Sequence, residues 1–169
     1  MPRDVEYPAE IDLPINDTLA TLVAGNAERF PNRAVYAVRT GEGWRDVTAS
    51  QFNEQVRSAA RGLIARGVEA GEPVAILSPT RYEWTVLDFA LWSIGAFAVP
   101  IYDSSSAEQI EWILRDSRAV AVITDTEASA TRVREAVTEP PPLPAVDDGL
   151  LDALAVEGAD VTDALPTPR

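Results

Sequence analysis

The sequence predicts an α/β fold: three layers, helix-sheet-helix, around a mostly parallel βαβαβ core that is incomplete at this length. Uninterrupted apolar runs at residues 74–78, 98–102 and 119–124 read as strands buried on both faces, as in a parallel sheet covered by helices. Segments 82–94 and 107–116, apolar at helical spacing, separate those runs as right-handed crossover helices would. A chain of 169 residues with 46% hydrophobic and 24% charged side chains has globular composition, and this length buries ~70% of the unfolded surface.

Residues 1–16, with Pro2, Pro8 and Pro14 and no period, read as an extended N-terminal arm. The folded unit spans residues 17–138. Asp17 or Thr18 caps its first helix, whose stripe is Leu19, Leu22, Val23, Ala27 and Phe30, and Pro31 ends it. Residues 34–39 and 44–48 flank Gly41-Glu42-Gly43 as a hairpin. Thr48-Ala49-Ser50-Gln51 is a capping box in which Thr48 caps, Gln51 reaches back and Val47 staples onto Phe52. Phe52, Val56, Ala59, Ala60, Leu63 and Ile64 then recur at helical spacing until Gly67 stops the helix. Thr80 caps the helix after the 74–78 strand, and Ser105 with Glu108 forms a further capping box ahead of an inward stripe of Ile110, Ile113 and Leu114. Val133, Ala136 and Val137 carry a last helix at 126–138. Residues 139–169 read as a Pro-rich, acidic, weakly structured tail. Pro140, Pro141, Pro142 and Pro144 stiffen it, and Leu150, Leu151, Leu154 and Val156 supply an amphipathic turn or two.

The chain has no Cys and no His, and all 14 basic residues are Arg. Disulfides, Cys/His zinc sites, cysteine nucleophiles, histidine bases, Schiff-base lysines and the P-loop lysine are therefore excluded within these residues. Chemistry is left to Asp, Glu, Ser, Thr, Tyr and Arg. A net charge of −13 and a pI near 4.3 argue against a nucleic-acid surface. The longest uncharged run, residues 89–102, holds 14 residues with Gly95 and Pro100, too few to span a bilayer. No basic-then-apolar leader opens the chain, and a cytoplasmic location is the expectation.

Several places invite chemistry. Ser78-Pro79-Thr80-Arg81 stands where a dinucleotide site would carry glycines, and neither G-x-G-x-x-G nor a P-loop occurs, which disfavours an independent Rossmann-like nucleotide binder. The loop Tyr102-Asp103-Ser104-Ser105-Ser106 follows a strand at the edge where open sheets bind ligands. Its hydroxyls and a helix N-terminus suit an anion, although Ser105 as a plain cap explains the loop more simply. Asp88, with Trp84, Leu91 and Trp92 at helical spacing, reads as a structural carboxylate paired to an arginine rather than a general acid. Trp84, Trp92 and Trp112 read as core packing rather than a greasy channel. Arg115, Arg118, Arg132 and Arg134 read as surface charges.

A resemblance is carried by Thr18-Leu19 through Phe30-Pro31, by Trp44-Arg45-Asp46-Val47-Thr48, by Gly71-Glu72-Pro73-Val74-Ala75-Ile76-Leu77-Ser78 and by Arg81-Tyr82-Glu83-Trp84. It is most specific in Gly95-Ala96-Phe97-Ala98-Val99-Pro100-Ile101-Tyr102-Asp103-Ser104-Ser105-Ser106-Ala107-Glu108-Gln109-Ile110, followed by Val120-Ala121-Val122-Ile123-Thr124. These segments, in this order, resemble the N-terminal part of long-chain acyl-CoA synthetases (long-chain-fatty-acid CoA ligases) of the adenylate-forming, AMP-binding superfamily. The resemblance implies the N-terminal subdomain of that ligase fold. It also implies a two-step reaction, in which ATP activates a long-chain fatty acid to an acyl-adenylate and CoA captures the acyl group.

ATP, Mg and CoA serve the complete family enzyme, and none is expected to bind this chain tightly by itself. The family's phosphate loop, similar to Y-T-S-G-T-T-G-x-P-K-G, has no counterpart here, nor have its two lysines. The chain is therefore expected to be an inactive N-terminal fragment. The alternative is a non-catalytic binding or dimerisation module of the same descent. Possible CoA contacts carry over to Tyr102, Asp103 and Ser104, with Arg132 and Arg134 near rather than at matching positions; no catalytic residue or metal ligand carries over. Peripheral membrane association in the full enzyme, and homo-oligomerisation through exposed sheet surface or an arm swapped between subunits, complete what the resemblance implies.

Overall fold

The computed structural model describes residues 18–139, 141 and 149–161. The N-terminal arm, Asp17 and the prolines at 140, 142 and 144 lie outside the described residues. The element order is α1 (Leu19–Arg29), β1 (Ala34–Thr40), β2 (Gly43–Thr48), α2 (Ala49–Ala65), β3 (Pro73–Leu77), α3 (Tyr82–Ser93), β4 (Phe97–Ile101), α4 (Ala107–Ser117), β5 (Ala121–Thr124), α5 (Glu127–Ala136) and α6 (Leu150–Glu157).

Local chemistry explains the entry to most helices. The Thr18 hydroxyl accepts from the Thr21 N–H at 3.2 Å, and the Thr21 hydroxyl accepts from the Thr18 N–H at 2.9 Å, closing a box at the start of α1. The Thr48–Gln51 box opens α2 as the sequence reads, with bonds of 2.9 and 3.3 Å. At the far end of α2 Gly67 sits at φ 86. Its N–H donates to Ile64 O and that of Val68 to Leu63 O, a Schellman stop that a side chain at position 67 would strain. Two caps differ from the sequence reading. The cap of α3 is Arg81, without a side-chain bond, rather than Thr80. That of α4 is Ser106 with Gln109, one residue beyond the expected Ser105 and Glu108. Ser105 is held back because it is buried and its carbonyl is already engaged.

The hairpin forms its own antiparallel pair, with Thr40 opposite Gly43 across the two-residue Gly41-Glu42 turn. The main sheet is parallel, in the order β4-β3-β5, so the first of the three strands lies in the middle. Along β3, Val74 and Ile76 face a core built with α2 and α3, while Ala75 and Leu77 face a second core with Ile110, Leu114 and Val133. Burial on both faces makes the three layers.

Periodicity misreads one face. Of the α1 stripe Val23 is buried, but Leu19, Leu22 and Phe30 are exposed, since α1 touches α2 and α3 along one line and no described element covers its other side. Phe30 lies instead beneath the Arg29 and Arg33 guanidiniums, at 5.3 and 5.8 Å. Within the stretch read as a weakly structured tail, α6 packs on α2, and Leu150 and Leu154 join the larger core. No helix among the described residues is long and apolar enough to cross a membrane.

Candidate functional site

The carboxyl ends of β3, β4 and β5 deliver three loops to one rim of the sheet, where open α/β sheets place their ligands. The loop after β4 is the most built. Its Ser105 N–H donates to Tyr102 O at 3.0 Å, which turns the chain at Asp103 and Ser104. Tyr102, Asp103 and Ser104 are exposed, Tyr102 at 78%, whereas Ser105 is buried. Ser106 then caps α4.

Arg132 reaches this loop from α5. One terminal nitrogen donates to Asp103 O at 2.8 Å and the other to Ser105 O at 2.6 Å. A planar guanidinium fork spans two carbonyls without distortion, and its charge strengthens both bonds. Two features set α5 at the right height for this contact. Val133, next to Arg132, is fully buried in the second core, and Thr126 caps the helix by accepting from the Ser129 N–H at 3.2 Å. Asp125 braces the same turn by accepting from the Ser129 hydroxyl at 2.6 Å.

The structure thus brings Arg132 to Asp103 and Ser105, beside Tyr102 and Ser104. Arg134 is turned away, pairing with Glu127 at 2.8 Å. The bridging role of Arg132 had no local signal, because its partners lie 29 and 27 residues earlier. In the loop after β3 the Ser78 hydroxyl donates to Pro79 O at 2.9 Å, and Arg81 pairs with Glu83 at 2.6 Å. The Thr124 hydroxyl, at the end of β5, is buried without a hydrogen-bond partner among the described residues. No cluster of three or more metal-ligating side chains occurs among the described residues.

Away from the rim, Tyr36, Phe52, Tyr82, Phe89 and Trp92 form a chain of rings with centroids 4.8 to 6.2 Å apart. The Tyr82 hydroxyl donates to Gln55 Oε1. Burial pushes this phenol up to about 12, with Tyr36 adding to the effect and Arg45 opposing it. Trp92 joins this cluster, but Trp112 is 57% exposed on the outer side of α4, so helical spacing misplaces it in the core.

Asp88 is half-buried, and in place of the expected arginine partner it has no ion pair among the described residues. Burial alone pushes its carboxyl from 3.8 up to about 6. A folded-state value above the unfolded one means that the contribution of Asp88 to stability is fullest below about pH 4 and is lost as pH rises through about 6. Asp88→Asn is expected to flatten that decline and to add about 1 kcal/mol at neutral pH, a figure reduced for solvent screening of a partly exposed group. Urea unfolding of both chains between acid and neutral pH checks this, and parallel profiles would refute it.

A family model described as AMP-binding enzyme matches residues 23–166. A long-chain-fatty-acid–CoA ligase from Mycobacterium bovis, FadD15, is 40% identical over 99% of this chain, which spans 29% of the length of that relative. Among solved structures, the N-terminal domain of FACL13 from Mycobacterium tuberculosis superposes with a TM-score of 0.70 and 26% identity, covering 85% of this chain and 36% of that one. VinN in complex with 3-methylaspartate superposes with a TM-score of 0.75 at 19% identity, covering 88% of this chain and 39% of its own, a likeness of fold.

Proposed function

The chain belongs to the AMP-binding enzyme family, and from that premise we propose that it is the N-terminal portion of a long-chain fatty-acid CoA ligase. The observation that carries this reading is the 40% identity sustained over 99% of the chain with a ligase of that description. In the whole enzyme the fatty-acid carboxylate displaces pyrophosphate from ATP to give an acyl-adenylate, and the CoA thiol then displaces AMP from the acyl carbon.

The loop after β4 is assigned to the nucleotide end of CoA. The exposed Tyr102 ring offers a face on which a base stacks. Asp103 and Ser104, exposed at the turn, offer a carboxylate and a hydroxyl to sugar hydroxyls. Arg132 holds the turn in shape by its two carbonyl bonds. With Arg134 committed to Glu127, these groups fit the base and sugar better than the phosphates. Handling of ATP and Mg is assigned to the remainder of a whole ligase, because these 169 residues contain no lysine to meet a triphosphate.

A chimera tests the reading: this chain replaces the matching N-terminal stretch of the Mycobacterium bovis relative. It is expected to form acyl-CoA from a long-chain fatty acid within about tenfold of the parent rate, while the 169-residue chain alone catalyses no ATP/pyrophosphate exchange. A chimera that folds but forms no acyl-adenylate replaces this reading with a non-catalytic binding or dimerisation module. Exchange by the isolated chain above a protein-free control overturns the assignment of ATP to the remainder.

A further inference from the structure

Between α1 and the hairpin an open groove runs along the aromatic core, with a volume of about 190 Å³. Leu22 and Asn26 of α1, Val35 of β1, Ala49 and Phe52 of α2 and Phe89 of α3 line it. Leu22 is 52% exposed and Val35 39%, whereas Ala49 and Phe52 are buried, so the groove has an open rim and a closed, apolar floor. A cavity of about 150 Å³ takes six carbons, so this one takes about seven or eight.

One end of the groove is cationic. Phe30 lies one helical turn beyond Asn26, and its N–H donates to Asn26 O at 2.9 Å. The Arg29 and Arg33 guanidiniums sit over the Phe30 ring, at 5.3 and 5.8 Å from its centroid. The backbone ties Arg33 to the groove as well: its carbonyl accepts from the Ala49 N–H at 2.9 Å, and Val35 follows two residues on. Neither guanidinium has a carboxylate partner among the described residues, whereas Arg61, Arg66, Arg81, Arg115 and Arg134 each pair with a glutamate. In a chain with 27 acidic and 14 basic residues, two neighbouring arginines held without a carboxylate make a local seat for an anion. An apolar trough that ends at such a pair matches a ligand with the same polarity along its length.

We propose that the groove binds a linear aliphatic carboxylate, with its chain along Leu22, Val35 and Phe52 and its head at Arg29 and Arg33. A guanidinium suits that head because its forked N–H donors match two carboxylate oxygens. The site is separate from the loop assigned to CoA: it lies among α1, α2 and α3, whereas Arg132 reaches that loop from α5, on the other face of the sheet. Binding here is independent of the ligase reading, whose own test is the chimera. Amide spectra of the full chain titrated with sodium octanoate read it directly. The Leu22, Asn26, Arg33 and Val35 amides are expected to shift saturably. Octanoate is expected to bind about tenfold more tightly than hexanoate, and decanoate to gain less than about twofold more. Octanol keeps the chain without the charge and is expected to bind about tenfold more weakly than octanoate. The double variant Arg29→Gln/Arg33→Gln is expected to remove that advantage of the carboxylate, and Leu22→Glu to abolish binding of both probes. All three side chains are exposed, and an amide spectrum unchanged outside the groove reports that each variant is folded. Octanoate shifts that fail to saturate by about 50 mM overturn the proposal, as do shifts confined to residues 102–106. Octanol binding as tight as that of octanoate, or full octanoate affinity in either variant, overturns it equally.

Discussion

Gly62→Val is expected to detach α6 and to lower the stability of the chain by about 3 kcal/mol. A Cβ at position 62 would lie 2.4 Å from Leu154 O and 2.6 Å from both Leu154 Cα and Cβ. These are backbone atoms and the root of a side chain, so no rotation relieves the clash. The contact is reciprocal: a Cβ on Gly158 would lie 2.6 Å from Gly62 N and 2.7 Å from the Arg61 carbonyl carbon. Two glycines thus let α2 and α6 approach backbone to backbone, which drives Leu150 and Leu154 into the core. At the end of the same contact Arg66 donates to both carboxylate oxygens of Glu157, at 2.6 and 2.9 Å, and these hydrogen bonds draw the Glu157 carboxyl below its ordinary range. Gly62→Ala decides the matter by sign. Helix propensity alone predicts a gain of about 1 kcal/mol for alanine in mid-helix, whereas the close approach predicts a loss. A urea midpoint at or above that of the native chain would show that α6 does not need the glycine.

Arg132→Gln is expected to cost about 2 kcal/mol and to loosen residues 102–106, because two charge-assisted bonds are lost and the carbonyl of buried Ser105 is left without its donor. Arg132→Lys keeps the charge but not the fork, and is expected to recover less than half of the loss. The Ser105 amide, which donates to Tyr102 O, reports the loop by its exchange rate, and the urea midpoint reports the energy. If both variants unfold with the native chain and protect Ser105 equally well, the guanidinium does not hold the loop. Introduced into a whole ligase, the same substitutions are expected, on the proposed assignment of this loop to the nucleotide end of CoA, to raise the KM for CoA before they lower kcat.

What was legible in the sequence was local or periodic. The Thr48–Gln51 box involves residues three apart, and it is present as read. The strands of the main sheet were legible as uninterrupted apolar runs; burial on both faces accounts for this in β3, whereas the edge strand β4 is as apolar although Phe97 and Pro100 are exposed. The α4 cap was misplaced by one residue because both serines have a suitable side chain three residues on, and the contact that distinguishes them comes from Arg132. α6 was undervalued for a related reason: its leucines find their place through Gly62, far away in the chain, and an isolated short helix is marginal. Periodicity picked out the apolar face of α1 but carried no information about what lies against it. At the candidate site the family pattern marked the loop, and Arg132 had been carried over as a weak CoA contact; its bond to that loop was not legible.

The central place of β3 has a consequence for how the chain is made. It is the first strand of the main sheet to leave the ribosome, and both of its neighbours are synthesised later. One hydrogen-bonding edge stays open until β4 is complete at Ile101, and the other until β5 is complete at Thr124. When it emerges, this apolar strand is shielded only by what precedes it, chiefly α2, and α3 joins that face before either neighbouring strand is made. Pairing across such sequence separations is slow, so in the nascent chain this strand is the one with the longest exposure to wrong partners.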